Sequence, residues 1–256
     1  MGPITPRSFT GHSCILAATD YFSKWAEAVA LREVKKENVV DFIRTHIIYR
    51  YGVPKRIISD NGTPFFNKVM TSLCEKFKFT QHRSSMYNAP ANGLAEAFNK
   101  TLCKLLSKVV AKSKRDWHEK IGEALWAYKT TYKTATQATP YALVYGVEAI
   151  LPLELQIPSL RVAIQEGLTS EENDKLRLTE LEALDERRLQ AQQKMECYQA
   201  RISRAFNKKV QPRSFQVGDM ILAVRRPRIT SHKLEVSLLL SGMALMGTRG
   251  LYKWSI

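Results

Sequence analysis

The sequence predicts an α/β fold, and three observations carry that prediction. Short apolar or β-branched runs alternate with stretches of helical periodicity between residues 14 and 145. The breaks between them fall on Gly, Pro and Asn. Two carboxylates, Asp60 and Glu96, stand beside such breaks with 35 residues between them.

Cys14 to Thr19 reads as an apolar strand, and Trp25 to Leu31 as a second, joined to it by a tight turn in an antiparallel hairpin. Glu37 to Tyr51 carries Val39, Val40, Ile43, Ile47 and Ile48 at helical spacing and stops at Gly52 and Pro54, which predicts a helix with one buried face. Lys55 to Ser59 returns as a strand, so strand, helix and strand predict a right-handed parallel crossover. Asn67 is placed to cap a helix running to Phe77, and Phe79 to His82 makes a short edge strand. A loop from Ser84 to Pro90 precedes a long helix from about Asn92 to Val110, and Asp116 to Thr130 and Thr139 to Tyr145 add two more. Ser170 to Lys209 has neither Gly nor Pro and predicts a long charged helix, acidic up to Glu186 and basic beyond it. Its apolar positions are too irregular for a sustained heptad.

A chain of 256 residues has room for one substantial core and a smaller appendage. The net charge of +15 favours a polyanionic partner, and no apolar run reaches the length of a membrane span, so nucleic acid is expected rather than membrane or a small-molecule substrate. Cys14, Cys74, Cys103 and Cys197 lack the close spacing of a zinc site and are expected to be reduced and structural. His12 at a strand start is expected to be structural rather than a ligand. Trp25, Trp117, Trp126 and Tyr128 sit at apolar positions and are expected in the core rather than stacked on bases.

Asp60 ends the run Ile57-Ile58-Ser59-Asp60-Asn61-Gly62, a strand delivering a carboxylate into turn chemistry; Glu96 lies in Tyr87-Asn88-Ala89-Pro90-Ala91-Asn92-Gly93-Leu94-Ala95-Glu96, where a loop opens a helix. Two carboxylates on separate elements suit divalent metal ions. This context resembles the catalytic core of retroviral and retrotransposon integrases. The segments Gly11 to Trp25, Tyr51-Gly52-Val53-Pro54, Trp126-Ala127-Tyr128 and Thr139 to Gly146 are similar to pieces of the Gypsy-class core, in the family's order, over residues 1–155.

The resemblance implies an RNase H-like core at 1–155 with its opening strand truncated, a linker and long charged helix at 156–210, and a partial, divergent C-terminal β-barrel region at 211–256. Phe215 to Ala223 resembles the barrel's opening hairpin, whereas Leu238 to Gly247 does not continue it. The family is a DDE-type polynucleotidyl transferase that integrates DNA using Mg²⁺ or Mn²⁺, so Asp60 and Glu96 are expected as catalytic metal ligands. Asn61, Tyr87, Asn88, Asn99 and Lys100 are expected to face DNA, and Arg225 and Arg226, inside a basic stretch from Arg201 to Lys233, to contact phosphate. The family's first carboxylate precedes a Gly-Pro that stands here as Gly2-Pro3, and Asp20 is the nearest acid in sequence. Impaired catalysis with retained DNA binding is therefore expected of this chain alone. An intact family member works as a homo-oligomer, and its substrate implies the nucleus. The alternatives are a domesticated, non-catalytic DNA-binding or scaffolding protein, and a ribonuclease H acting on hybrids; the latter needs the same first acid.

Overall fold

The computed structural model describes residues 4–59, 62–83, 89–110 and 114–208. Its first strands, β1 (Cys14–Thr19) and β2 (Ala26–Leu31), pair antiparallel with Ile15 opposite Ala30 and Ala17 opposite Ala28. The connecting turn is closed by Asp20, whose Oδ2 accepts from the Ser23 backbone N–H at 2.7 Å and the Ser23 hydroxyl at 2.6 Å. The hairpin expected from sequence is present, with Trp25 just outside the second strand.

The pleat sends alternate side chains to opposite faces, and here both faces are covered. Ile15, Ala26 and Ala28 pack against Phe98, Leu102 and Leu106 of α4 (Ala89–Val109) and against Ala124, Leu125 and Tyr128 of α5 (Ile121–Thr130). Leu16 points the other way, into Val39, Phe42, Met70 and Leu73 from α1 (Lys36–Phe42) and α3 (Lys68–Phe77). The alanines on the first face let α4 and α5 approach closely.

The helix expected over Glu37 to Tyr51 is continuous but changes pitch. After α1 comes a π-helical stretch, Ile43–Ile48, then α2 (Tyr49–Tyr51), ended by Gly52 at φ +89°. Ile43 and Ile48 are both buried. Five residues apart in an α-helix they would diverge by about 140°; the wider π turn brings them to the same core.

β3 (Arg56–Ser59) pairs parallel with β4 (Thr80–Arg83) across α3. This corrects the expected crossover. The parallel unit is β3–α3–β4, and no ladder joins β2 to β3 among the described residues, because the chain leaving α2 pairs onward rather than back. The described strands thus form two two-stranded ladders, one antiparallel and one parallel. Asn67 caps α3 as expected, its Oδ1 accepting from Met70 N–H at 3.0 Å.

Two helix starts differ from expectation. α4 begins at Ala89, since Pro90 is tolerated in a first turn that needs no donor. α5 begins at Ile121, five residues late, because Trp117 turns into the core at 4% exposure and its Nε1 donates to Pro6 O at 3.3 Å. Trp25 and Tyr128 are buried as expected. Trp126 is not: it is 39% exposed, lying on the outer side of α5 against Tyr141.

Beneath Trp25 lies a buried acid that apolar patterning did not single out. Glu27 accepts from Trp25 Nε1 at 2.9 Å, Tyr51 Oη at 2.7 Å, Lys129 Nζ at 2.9 Å and Arg50 Nη1 at 3.2 Å, tying β2 to α2 and α5. Burial alone would raise its pKa; the hydrogen bonds from Lys129, Tyr51 and Trp25 and the Lys129 charge outweigh that and hold it low.

α6 (Pro140–Tyr145) is capped by the Thr139 hydroxyl and ends at Gly146, φ +82°. A 3₁₀ turn (Pro152–Leu155) and α7 (Leu160–Glu166) follow, neither foreseen from sequence. α8 (Ser170–Asn207) is the expected long helix. Leu184, Ala191 and Met195 are buried, and the compact unit holding the sheet continues to Gln199. Three arginines of α8 satisfy the open carbonyls at the end of α6. Arg177 donates to Tyr145 O at 2.9 Å, Arg188 to Leu143 O at 3.0 Å, and Arg187 to Gly146 O. A second unit begins at Ala200; Arg225, Arg226 and the expected barrel strands lie outside the described residues.

Candidate metal centre and nucleic-acid interface

β3 carries the chain to the first expected carboxylate. Ile57 and Ile58 favour the strand, Ser59 is buried at its end, and Asp60 and Asn61 follow outside the described residues. The turn beyond them is fixed on both sides. Gly62 O accepts from Phe65 N–H at 3.0 Å, and Gln81 of β4 donates through Nε2 to Ser59 Oγ at 3.2 Å and Phe65 O at 3.0 Å. One amide therefore clips the strand end to the turn that follows. Nothing in the local pattern of β4 marks Gln81 for this role; only the parallel register, with Gln81 opposite Ile57, brings it there.

The second carboxylate rides on α4. Phe98, Leu102 and Leu106, one turn apart, are all buried and press the helix against β1. Glu96 is two residues out of phase with them and so sits on the opposite, solvent-exposed face. Lys100, Lys104 and Lys108 continue the same exposed row at four-residue intervals, with Asn99 half-buried beside it. The row steps by about 6 Å per residue named. Lys100 was singled out from sequence; Lys104 and Lys108 were missed, and the four-residue repeat from Glu96 was the available signal. Tyr87 and Asn88 lie outside the described residues.

Among the described residues no three His, Cys, Asp or Glu side chains converge as a metal site. Asp20, the nearest acid in sequence to the expected first ligand, has its Oδ2 engaged by the Ser23 N–H and hydroxyl within the β1–β2 turn. His12 is also occupied locally: its Nδ1 lies 2.8 Å from Thr10 Oγ1 and 3.2 Å from Ser8 Oγ. None of the four cysteines forms a disulfide, and Cys103 and Cys197 are exposed.

Residues 2–89 match the integrase core domain family. This stretch is similar to retroviral-type integrase cores. The match takes in both strand pairs and reaches the first residue of α4. The chain is 29% identical over 138 residues to the Gag-Pol polyprotein of avian reticuloendotheliosis virus, a span of 54% of this chain and 12% of that one. It is 28% identical over 227 residues to the Transposon Tf2-3 polyprotein of Schizosaccharomyces pombe, covering 88% of this chain and 16% of the relative. The chain thus spans less than a fifth of the length of either polyprotein. Among solved structures, the catalytic core domain of BIV integrase superposes with a TM-score of 0.43 at 23% identity, covering 51% of this chain and 84% of that one. A chain of the simian T-cell lymphotropic virus intasome in complex with PP2A regulatory subunit B56 gamma gives 0.44 at 21% identity, covering 54% and 50%. The integrase core domains of this family depend on divalent metal ions, and the helix that holds Glu96 exposes its carboxylate rather than tying it into the core.

Proposed function

We propose that the chain is the integrase region of a Gypsy-class retrotransposon polyprotein, that it binds DNA, and that Asp60 and Glu96 are two of the three carboxylates of a strand-transfer site. The observation that carries this reading is the exposed row of α4, a carboxylate followed by three lysines on the face turned away from the core. Such a row can present an acid to a metal ion and cations to the phosphates leading away from it. Asn99 and Lys100 would contact DNA nearest Glu96, with Asn61, Tyr87 and Asn88 approaching from the loops, and Arg225 and Arg226 from the carboxyl-terminal stretch.

Mg²⁺ or Mn²⁺, when bound, would activate an attacking oxygen and stabilise the leaving one at a phosphodiester. The chain's own part is positional. Gln81 ties the end of β3 to the turn at Phe65, the buried row of α4 holds Glu96 on its exposed face, and the lysines hold the strand in register. DNA binding by the lysine row does not depend on the third carboxylate. The substrate places the working protein in the nucleus, as a homo-oligomer when part of the intact integrase.

The test is Mn²⁺-dependent strand transfer by this chain beside a version extended upstream to include an Asp-bearing opening strand. Transfer by the extended form is expected. Activity in neither form, with DNA binding retained, would replace this reading with that of a non-catalytic DNA-binding protein.

A further inference from the structure

The segment following α6 departs from the rest of the molecule in both polarity and charge. Leu153, Leu155, Ile157, Leu160 and Ile164 are each more than half exposed, a density of bare apolar side chains that marks an interaction surface rather than ordinary scatter. Residues 148–186 hold ten Asp and Glu against three Lys and Arg, a net charge of −7 within a chain of +15, leaving +22 for the remainder. A surface so acidic repels nucleic acid and selects a cationic, apolar protein partner. Beside it an open cleft lies between the segment Ile150 to Glu166 and the first turns of α8, lined by apolar Ile150, Leu155, Val162 and Leu176 and by the acids Glu166, Asp174 and Glu180. Glu180 is partly neutralised by Arg177 at 3.3 Å, which leaves Glu166 and Asp174 to meet an incoming cation.

The matching surface occurs on this same sequence. Between Arg187 and Lys208 there are six Lys and Arg and one Glu. At the end of α8, Ile202 and Phe206 stand one turn apart, 52% and 67% exposed, flanked by Arg201, Arg204 and Lys208. Opposite charge and exposed apolar side chains make this helix end complementary to the cleft of another copy. We propose that a second copy of the chain occupies it, the basic end of one α8 seated in the acidic cleft of the other, with Ile202 and Phe206 against its apolar lining. The exchange is reciprocal. Two α8 helices running antiparallel make both contacts at once, which is a closed two-fold arrangement.

The experiment is sedimentation equilibrium of the full chain, freed of nucleic acid, at 0.15 M and 0.5 M salt. Two paired substitutions invert the charges, Glu166→Lys with Asp174→Lys in the cleft and Arg201→Glu with Arg204→Glu at the helix end, and circular dichroism checks that helix content is kept. The wild type is expected to dimerise and to loosen at the higher salt, and each variant alone to associate about tenfold more weakly. Mixing the two variants restores opposite charges at both contacts, so a heterodimer of near wild-type affinity is expected. A wild-type chain that stays monomeric, variants that dimerise unchanged, or a mixture no tighter than its parts would each overturn the proposal.

Discussion

Glu27 and Lys129, 102 residues apart in the chain, meet at 2.9 Å beneath the Trp25 ring, whose face also lies 4.1 Å from the same ammonium. The pair joins the β1–β2 hairpin to α5 in a site where each side chain is largely shut off from water, 6% and 12% exposed. Burial presses Lys129 toward its neutral form more than Glu27 favours the charged one, so its pKa is lowered. The coupling is visible instead on Glu27, which gains most from its partners.

Removing Glu27 leaves a buried cation without its counter-ion. Glu27→Ala is expected to cost about 3 to 5 kcal/mol in urea unfolding, well beyond the loss from an exposed ion pair. The pH dependence has a definite sign. A carboxylate held below its ordinary value of 4.5 contributes stability above that pH and loses it as pH falls through the depressed value. Wild-type stability should therefore decline below about pH 4.5. Glu27→Gln should flatten that limb, and an unchanged acid limb would assign the loss to other carboxylates.

The lysine row of α4 predicts a salt signature. If Lys100, Lys104 and Lys108 each meet a phosphate, replacing all three with Ala should weaken binding to any duplex sequence. It should also reduce the slope of log K against log salt by about 2 to 3. A fall in affinity with no change of slope would mean that the lysines act on the fold rather than on DNA. Glu96→Gln serves as the companion: it should spare binding, since the row keeps its cations.

The hairpin, the Asn67 cap and the long α8 were legible in the sequence because each rests on local rules: alternation, a side chain three residues from the N–H it accepts, and a run without Gly or Pro. What escaped depends on contacts remote in sequence. Gln81 clips the turn after β3 only because β3 and β4 lie parallel. Glu27 reads as an interruption in an apolar strand until Tyr51 and Lys129 are brought to it. Trp126 reads as core by composition, yet α5 turns Ile121, Ala124, Leu125 and Tyr128 inward and leaves Trp126 outside that row. The exposed row from Glu96 to Lys108 was available in the four-residue spacing, whereas the acidic apolar surface after α6 shows only once burial is known.

The contact of α8 with α6 rests on a glycine. Gly146 adopts φ +82°, and a Cβ there would lie 3.5 Å from the Glu180 carbonyl and 3.7 Å from Leu184. Gly146→Ala is expected to cost about 1 to 2 kcal/mol from the left-handed backbone alone. Because Arg187 caps the Gly146 carbonyl and Arg188 the one at Leu143, Arg188→Ala should speed hydrogen exchange in the first half of α8 while leaving the β1–β2 ladder protected. Equal loss of protection in both would show that α8 and the sheet open as one unit.

Asp20 supplies a sharper test of the metal site than either proposed ligand does. It is an acid near the start of the core, but both of its observed partners are donors from Ser23, and those interactions hold the turn rather than a cation. Asp20→Asn keeps an acceptor oxygen and removes the charge. In the upstream-extended form it should leave Mn²⁺-dependent strand transfer unchanged and lower stability by about 1 kcal/mol, as one charge-assisted hydrogen bond becomes neutral. Glu96→Gln, which likewise removes one charge and keeps the shape, should abolish transfer at no cost in stability, since the side chain is exposed on α4. If Asp20→Asn instead abolished transfer with folding intact, the turn would have to rearrange in the active complex and Asp20 would join the metal ligands.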